Sequence, residues 1–255
     1  MIKNILNSFF MAFSMYSKIP MPNCEWKEEN MKYSMCFFPI VGVIIALLIF
    51  EWKNFAYSVG IGEVFIAAVC TLVPILVTGG IHIDGYIDTV DALSSYKSCE
   101  DKLKIMKDSH IGAFALIKTV SYMILYFAIW TEIPRENFVF ACMSFIISRA
   151  LSAIGVVNFK YTSTSSLAKQ FSKSSDKKIV TISMCIYLII LEAIMCAINI
   201  PIALGVLFTA LVVFVYYRYT AYKNFGGITG DTAGYFLQLC ELWVIIAVMI
   251  LSKII

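Results

Sequence analysis

The sequence predicts an all-α, polytopic membrane bundle of about seven transmembrane helices, and three observations carry that expectation. The chain has 255 residues, 60% of them hydrophobic and only 15% charged, with a mean hydropathy of +0.82. Soluble domains are far more polar. Long apolar runs recur from end to end, and the basic residues between them alternate in density.

The first segment, MIKNILNSFFMAFSMYSKIP, sets Ile2, Ile5, Leu6, Phe9, Phe10 and Phe13 at helical spacing. It lacks a continuous apolar core and a small-residue cleavage site, so it does not read as a signal peptide. An interfacial helix lying on the bilayer is expected, ended by Pro20 and Pro22. A cap packed on the bundle fits the same pattern.

Spans are expected at Ser34–Phe50, Val64–Val77, Phe114–Trp130, Phe138–Val157, Ile179–Ile198, Ile202–Tyr217 and Tyr235–Leu251. Pro39 and Pro74 should kink theirs. From the N-terminus through successive connections to the C-terminus, Lys and Arg number 4, 1, 4, 1, 5, 0, 2 and 1. By the positive-inside rule this puts the N-terminus and connections 78–113, 158–178 and 218–234 in the cytoplasm, and the C-terminus outside.

No internal repeat or appended soluble domain stands out, so residues 1–255 read as one integral-membrane domain. The stretch Tyr161–Lys178, YTSTSSLAKQFSKSSDKK, reads as a flexible cytoplasmic loop whose lysines face lipid headgroups. Membrane lipid is thus an expected partner, and the pattern leaves a homo-oligomer open. The eight cysteines are scattered without a CxxC pair, which gives no disulfide framework or zinc site. A net charge of +3 is weak and follows topology, so no nucleic acid partner is expected.

The most informative stretch is TGGIHIDGYIDTVDALSS, residues 78–95. Gly79, Gly80 and His82 lead into Asp84, Asp88 and Asp91, whose i, i+4, i+7 spacing shares one helical face. Three adjacent carboxylates repel one another unless a cation screens them, and Mg²⁺ prefers oxygen donors. The same pattern also suits a solvated helix start, but at a membrane boundary the site reading comes first. Two further blocks belong to the connections on that side. In KIMKDSHIGAF, Asp108 adds a carboxylate, and Lys104 and Lys107 offer cations. In KNFGGITGDTAG, the glycines Gly226, Gly227 and Gly230 would let backbone N–H groups approach an anion, with Thr229 and Thr232 as donors. Asp231 could join the metal. Arg149 and Glu241 fall inside spans, where charges are either paired or functional. Glu241 would point back toward the site. Glu192 is also intramembrane and reads as a structural pair or a span boundary.

These blocks resemble the cobalamin synthase (adenosylcobinamide-GDP ribazoletransferase) family. The resemblance rests on TGGIHIDGYIDTVDALSS, MKDSHIGAF, SRA, and FGGITGDTAG followed by the glutamate of CEL, with weaker echoes in SKIPMP and FFPIVG. The chain departs from that family at His110, usually arginine, and at Ala92, commonly glycine.

The resemblance implies a cytoplasmic-membrane enzyme of bacteria or archaea that requires Mg²⁺. Such enzymes join adenosylcobinamide-GDP to α-ribazole or its 5′-phosphate, giving adenosylcobalamin or its phosphate plus GMP. It implies Asp84, Asp88, Asp91 and Asp231 as metal ligands, with Asp108 beside them. His82 would act as a base or orient Asp84, and Lys107, Ser109, His110 and Arg149 would contact substrate. Two other classes fit the composition. A CDP-alcohol phosphatidyltransferase-like enzyme also uses clustered aspartates, but Asp84-Gly85 is followed by Tyr86, Ile87 and Asp88 rather than that family's Asp-Gly-x-x-Ala-Arg. A transporter would place its acids at the bilayer midplane, whereas these cluster at one boundary.

Overall fold

Seven apolar helical units organise the computed structural model, which describes residues 2–24, 26–162 and 167–255. In chain order the helices are α1 Ile2–Tyr16, α2 Glu28–Met31, α3 Phe38–Ser58, α4 Glu63–Thr78, α5 Ile81–Ser94, α6 Cys99–Ile105 and α7 Ala113–Glu132. Then follow α8 Phe138–Asn158, α9 Leu167–Ser174, α10 Lys177–Ile198, α11 Ile200–Phe225 and α12 Gly230–Ile254. No strand forms among the described residues, apart from an isolated bridge between Tyr161 and Ile228. Six units are long and apolar enough to cross a membrane, or seven if the bent pair α4–α5 is one span. The chain is thus an integral membrane protein with six to seven such units, against about seven expected.

The boundaries differ from expectation for local reasons. Pro39 stands in the first turn of α3, where its missing N–H leaves no bond unmade, so it starts a helix instead of kinking one. α1 ends before either proline, and over its last turn the N–H and hydroxyl of Ser17 both bond the Phe13 carbonyl, at 2.9 and 2.7 Å. Met11, Ala12 and Phe13 are fully buried while Ile5 and Leu6 stay exposed, so α1 caps the bundle and keeps an apolar outer edge. α11 runs on to Phe225, which shortens the expected 218–234 connection to a tight turn. Within the Ser- and Lys-rich stretch, Leu167–Ser174 forms α9 rather than a loop, and residues 163–166 lie outside the described residues.

Connections rich in basic residues meet at one end of the bundle. Lys102 donates to the Asn224 side chain at 2.7 Å, Ile228 N–H to the Lys160 carbonyl at 2.8 Å, and Lys18 N–H to the Val77 carbonyl at 2.7 Å. At the opposite end Lys53 donates to the Ile133 carbonyl at 3.2 Å, and Lys253 pairs with Glu132. The core between the ends is aliphatic and aromatic, with Trp130, Phe140, Phe145, Tyr217 and Phe236 buried.

Candidate functional site

Two glycines set the geometry at the basic end. Gly79 and Gly80 both take left-handed backbone angles, φ +65° and +81°, which favour glycine. They end α4, with Gly80 N–H returning to the Ile75 carbonyl, and turn the chain through 94° into α5. α5 then packs against the start of α12. The contact is close because both faces are glycine: a Cβ on Gly85 would stand 2.9 Å from Asp231 Cα, and one on Gly234 would stand 3.0 Å from the His82 carbonyl.

A cavity of about 280 Å³ opens beside this crossing. Ile81, His82 and Asp84 of α5 form one wall, and Gly230, Asp231 and Gly234 of α12 form another. Apolar groups close it: Met15, Tyr16, Met35 and Phe38 from the N-terminal part, Leu103 from α6 and Met106 just beyond its end, with Lys107 beside them. The buried His82 ring stacks on Tyr16 at 6.3 Å between centroids and meets Phe38 edge-on at 5.9 Å. Its Nε2 is buried without a hydrogen-bond partner. A second, more open cavity of about 600 Å³ adjoins the first and shares Met15, Ile81 and Asp84 with it. Ser14, Lys18, Gly79 and Gly80 line this one.

Both first turns, of α5 and of α12, face the first cavity. A helix N-terminus carries unsatisfied N–H groups and a positive dipole end, which together favour anions. Here each first turn also carries a carboxylate, Asp84 and Asp231. Such a site attracts a cation and an anion together, as a metal–phosphate pair requires.

The other expected site residues divide. Asp88 lies in the electrostatic reach of Asp84, Asp231 and Asp91, but lines neither cavity. Asp91 accepts from Gly112 N–H at 3.2 Å, which ties α5 to the start of α7. Asp108 is exposed in the turn before α7 and takes both the N–H and the ring of His110, at 3.0 and 2.7 Å. Those bonds hold its carboxyl below the usual carboxylate range. Ser109 and His110 are exposed and line neither cavity. As the side chains stand, no three His, Cys, Asp or Glu among the described residues converge on one metal position.

The second loop is built differently from the anion cradle expected. Gly226 N–H returns to the Tyr222 carbonyl and Gly227 N–H to the Ala221 carbonyl, so both close the end of α11. Gly227 also lies against residues 160–162, where a Cβ would stand 2.5 Å from the Lys160 carbonyl oxygen. The hydroxyls of Thr229 and Thr232 cap α12 reciprocally: Thr232 N–H donates to Thr229 at 3.0 Å, and Thr229 N–H to Thr232 at 2.8 Å. Of this loop Thr229, Gly230, Asp231, Ala233 and Gly234 reach the cavity, and Gly226, Gly227 and Thr232 do not.

Glu241 does not point back into the site. Arg149 Nη1 donates to Glu241 Oε1 at 2.8 Å and to the Phe145 carbonyl at 2.8 Å, and the Ser148 hydroxyl reaches Glu241 Oε1 at 3.1 Å. Both ions are about 1% exposed between α8 and α12, paired with each other, and line neither cavity. Sequence reasoning missed the apolar walls, Met15, Tyr16, Met35, Leu103 and Met106, and the cation Lys18. Only SKIPMP and FFPIVG, which hold Lys18 and Phe38, signalled that side.

Comparison with known proteins bears on this geometry. The family model described as cobalamin-5-phosphate synthase matches residues 8–249. A relative from Lachnoclostridium phytofermentans, named adenosylcobinamide-GDP ribazoletransferase, is 44% identical over 98% of this chain and 96% of its own length. Relatives of the same name from Clostridium perfringens strain 13 and Clostridium botulinum strain Alaska E43 are 33% and 31% identical, over 91% and 94% of this chain and 92% and 96% of their own lengths. No solved structure matches.

Proposed function

The chain belongs to the cobalamin-5-phosphate synthase family, and we infer that the crossing of α5 and α12 is where it joins its substrates. It is an adenosylcobinamide-GDP ribazoletransferase: it couples adenosylcobinamide-GDP to ribazole in cobalamin biosynthesis. The observation that carries the placement is the pair Asp84 and Asp231, set on facing first turns of two helices in one cavity.

The chemistry is phosphoryl transfer to an alcohol. A ribose oxygen of ribazole forms a bond to the phosphorus attached to cobinamide, and the P–O bond to GMP breaks. The hydroxyl proton must leave, and His82, which lines the cavity and has a buried ring nitrogen without a partner, is the candidate acceptor. A neutral imidazole nitrogen can accept such a proton. Tyr16 and Phe38 fix the ring's plane. The helix N-termini and Lys107 offset charge on the phosphates. In-line geometry is then a matter of positioning, which the rigid glycine contact between the helices provides.

Mg²⁺ fits these residues. It is commonly held by one or two carboxylates plus substrate phosphates and water, not by an all-protein cage. Two cavity carboxylates without a third converging ligand match that habit. Asp84 and Asp231 would hold the ion, with Asp88 adding negative charge beside them. When bound, it supplies charge neutralisation to the diphosphate.

The alternation of basic residues supports a cytoplasmic site and N-terminus in the cell's inner membrane, with lysines near lipid headgroups. The 5′-phosphate of ribazole, where present, would lie toward Lys107. The test is GMP release and corrinoid product from adenosylcobinamide-GDP and ribazole in proteoliposomes, with Mg²⁺ varied. Product formation that needs the metal is expected. Transport of either substrate without GMP release would overturn the reading.

A further inference from the structure

The two cavities beside Asp84 differ in shape and lining, and the substrates differ in the same way. Ligand sites for small organic molecules commonly enclose about 300–1,000 Å³. A cavity of about 280 Å³ therefore has no room for a corrin ring carrying an adenosyl group. The corrinoid donor can bring only the diphosphate that links cobinamide to guanosine up to Asp84, and must approach from an open side.

The open side is the cavity of about 600 Å³. Lys18 lines it on an exposed side chain whose stem passes over Gly79, where a Cβ would overlap it. Its backbone is fixed by the bond from Lys18 N–H to the Val77 carbonyl. Lys18 forms no ion pair among the described residues, so its ammonium is available to an incoming anion. The smaller cavity is different. Tyr16, Phe38, Met15 and Leu103 give it an apolar, aromatic wall, and His82, Asp84, Lys107 and Asp231 are the ionisable groups that line it. An aromatic wall beside a few polar groups suits a flat heterocycle with an attached sugar. Ribazole, a benzimidazole riboside, has that form.

We propose that the two cavities divide the substrates, with the aromatic riboside seated against Tyr16 and Phe38 and the diphosphate of the donor seated on Lys18. They meet at Asp84, the carboxylate common to both cavities. The attacking oxygen and the leaving GMP then lie on opposite sides of the phosphorus, as in-line displacement requires. This assignment rests on the reaction inferred above.

Three variants of the full chain in lipid nanodiscs test it: Lys18→Gln, Lys18→Arg and Tyr16→Leu, with Tyr16→Phe as the packing control. Lys18→Gln should raise KM for adenosylcobinamide-GDP about tenfold, the worth of one charge-assisted hydrogen bond, and leave KM for ribazole within about twofold. Lys18→Arg should restore the donor KM. Tyr16→Leu should raise KM for ribazole and spare the donor, and Tyr16→Phe, which keeps the ring, should recover most of that loss. Equilibrium binding, with GDP alone and ribazole alone as probes, should show the same split. If Lys18→Gln weakens ribazole instead, or neither ligand, the division of substrates is wrong. Failure of the wild-type chain to release GMP would instead remove the functional reading, and the GDP and ribazole binding split would still decide the cavity assignment.

Discussion

Gly85 and Asp231 touch across two helices: a Cβ on Gly85 would stand 2.9 Å from both Cα and O of Asp231. Their contact sets the distance between the two carboxylate-bearing first turns. It also explains why a glycine follows Asp84 in a helix, where glycine costs about 1 kcal/mol relative to alanine. Gly85→Ala should gain helix propensity and still lower kcat about a hundredfold, because a shift of about 1 Å in catalytic groups has that cost. Gly62→Ala is the control, since nothing lies within 4 Å of a Cβ there. Wild-type turnover in Gly85→Ala would mean that the spacing of α5 and α12 is not critical.

The Arg149–Glu241 pair separates a structural role from a substrate role. Glu241→Leu strands a buried guanidinium between α8 and α12, and breaking such a pair costs about 3–5 kcal/mol. Thermal unfolding in detergent should therefore fall sharply. Replacing both partners, Arg149→Met with Glu241→Leu, should recover most of the loss, because no buried charge is left unpaired. If Glu241→Leu kept its Tm but lost ribazole or donor binding, the glutamate would belong to the substrate site.

Much of this architecture was legible because hydropathy and charge act along the chain. Each expected span has its helix, and the count of basic residues separates the two ends correctly. What was not legible depends on how atoms pack. The spacing of Asp84, Asp88 and Asp91 placed them on one face, but which of them meets a cavity depends on α12. Asp91 turned out to bond Gly112 instead. Gly226 and Gly227 had the composition of an anion loop, yet their N–H groups close α11. A glycine-rich stretch looks alike in both roles until its partners are known. The apolar walls were invisible for a related reason: Met15 and Leu103 resemble every other apolar residue in a chain that is 60% hydrophobic.

The charge count gives an expected orientation, and the joined connections put the loops it concerns at one end. Lys102 and Asn224 bond directly, so Ser98 and Lys223 lie at the same end. Single cysteines placed at Ser98 and Lys223 in a cysteine-free background should both resist impermeant thiol reagents in intact cells. Both should react once the membrane is opened. Labelling of one and protection of the other would contradict the shared face, and labelling of both in intact cells would reverse the topology.

Asp84, Asp91 and Asp231 should not be equivalent. Asp84 and Asp231 line the cavity, whereas Asp91 accepts a bond from Gly112 N–H. Asp→Asn keeps the size and an acceptor oxygen but removes the charge that would hold a cation. Asp84→Asn and Asp231→Asn should therefore lose about a hundredfold or more in kcat, as when a main electrostatic stabiliser is removed. Their dependence on Mg²⁺ should move to higher concentration. Asp91→Asn can still accept from Gly112 and should lose far less, while Asp91→Ala frees the turn before α7 and should lose more than Asp91→Asn. Folding should survive in all of them, since removing one of several like charges relieves repulsion. GMP release measured across a Mg²⁺ titration gives the ranking. Equal losses at Asp84 and Asp91 would show that the metal bridges the whole helical face, and undiminished turnover in Asp84→Asn and Asp231→Asn would remove the metal from this crossing.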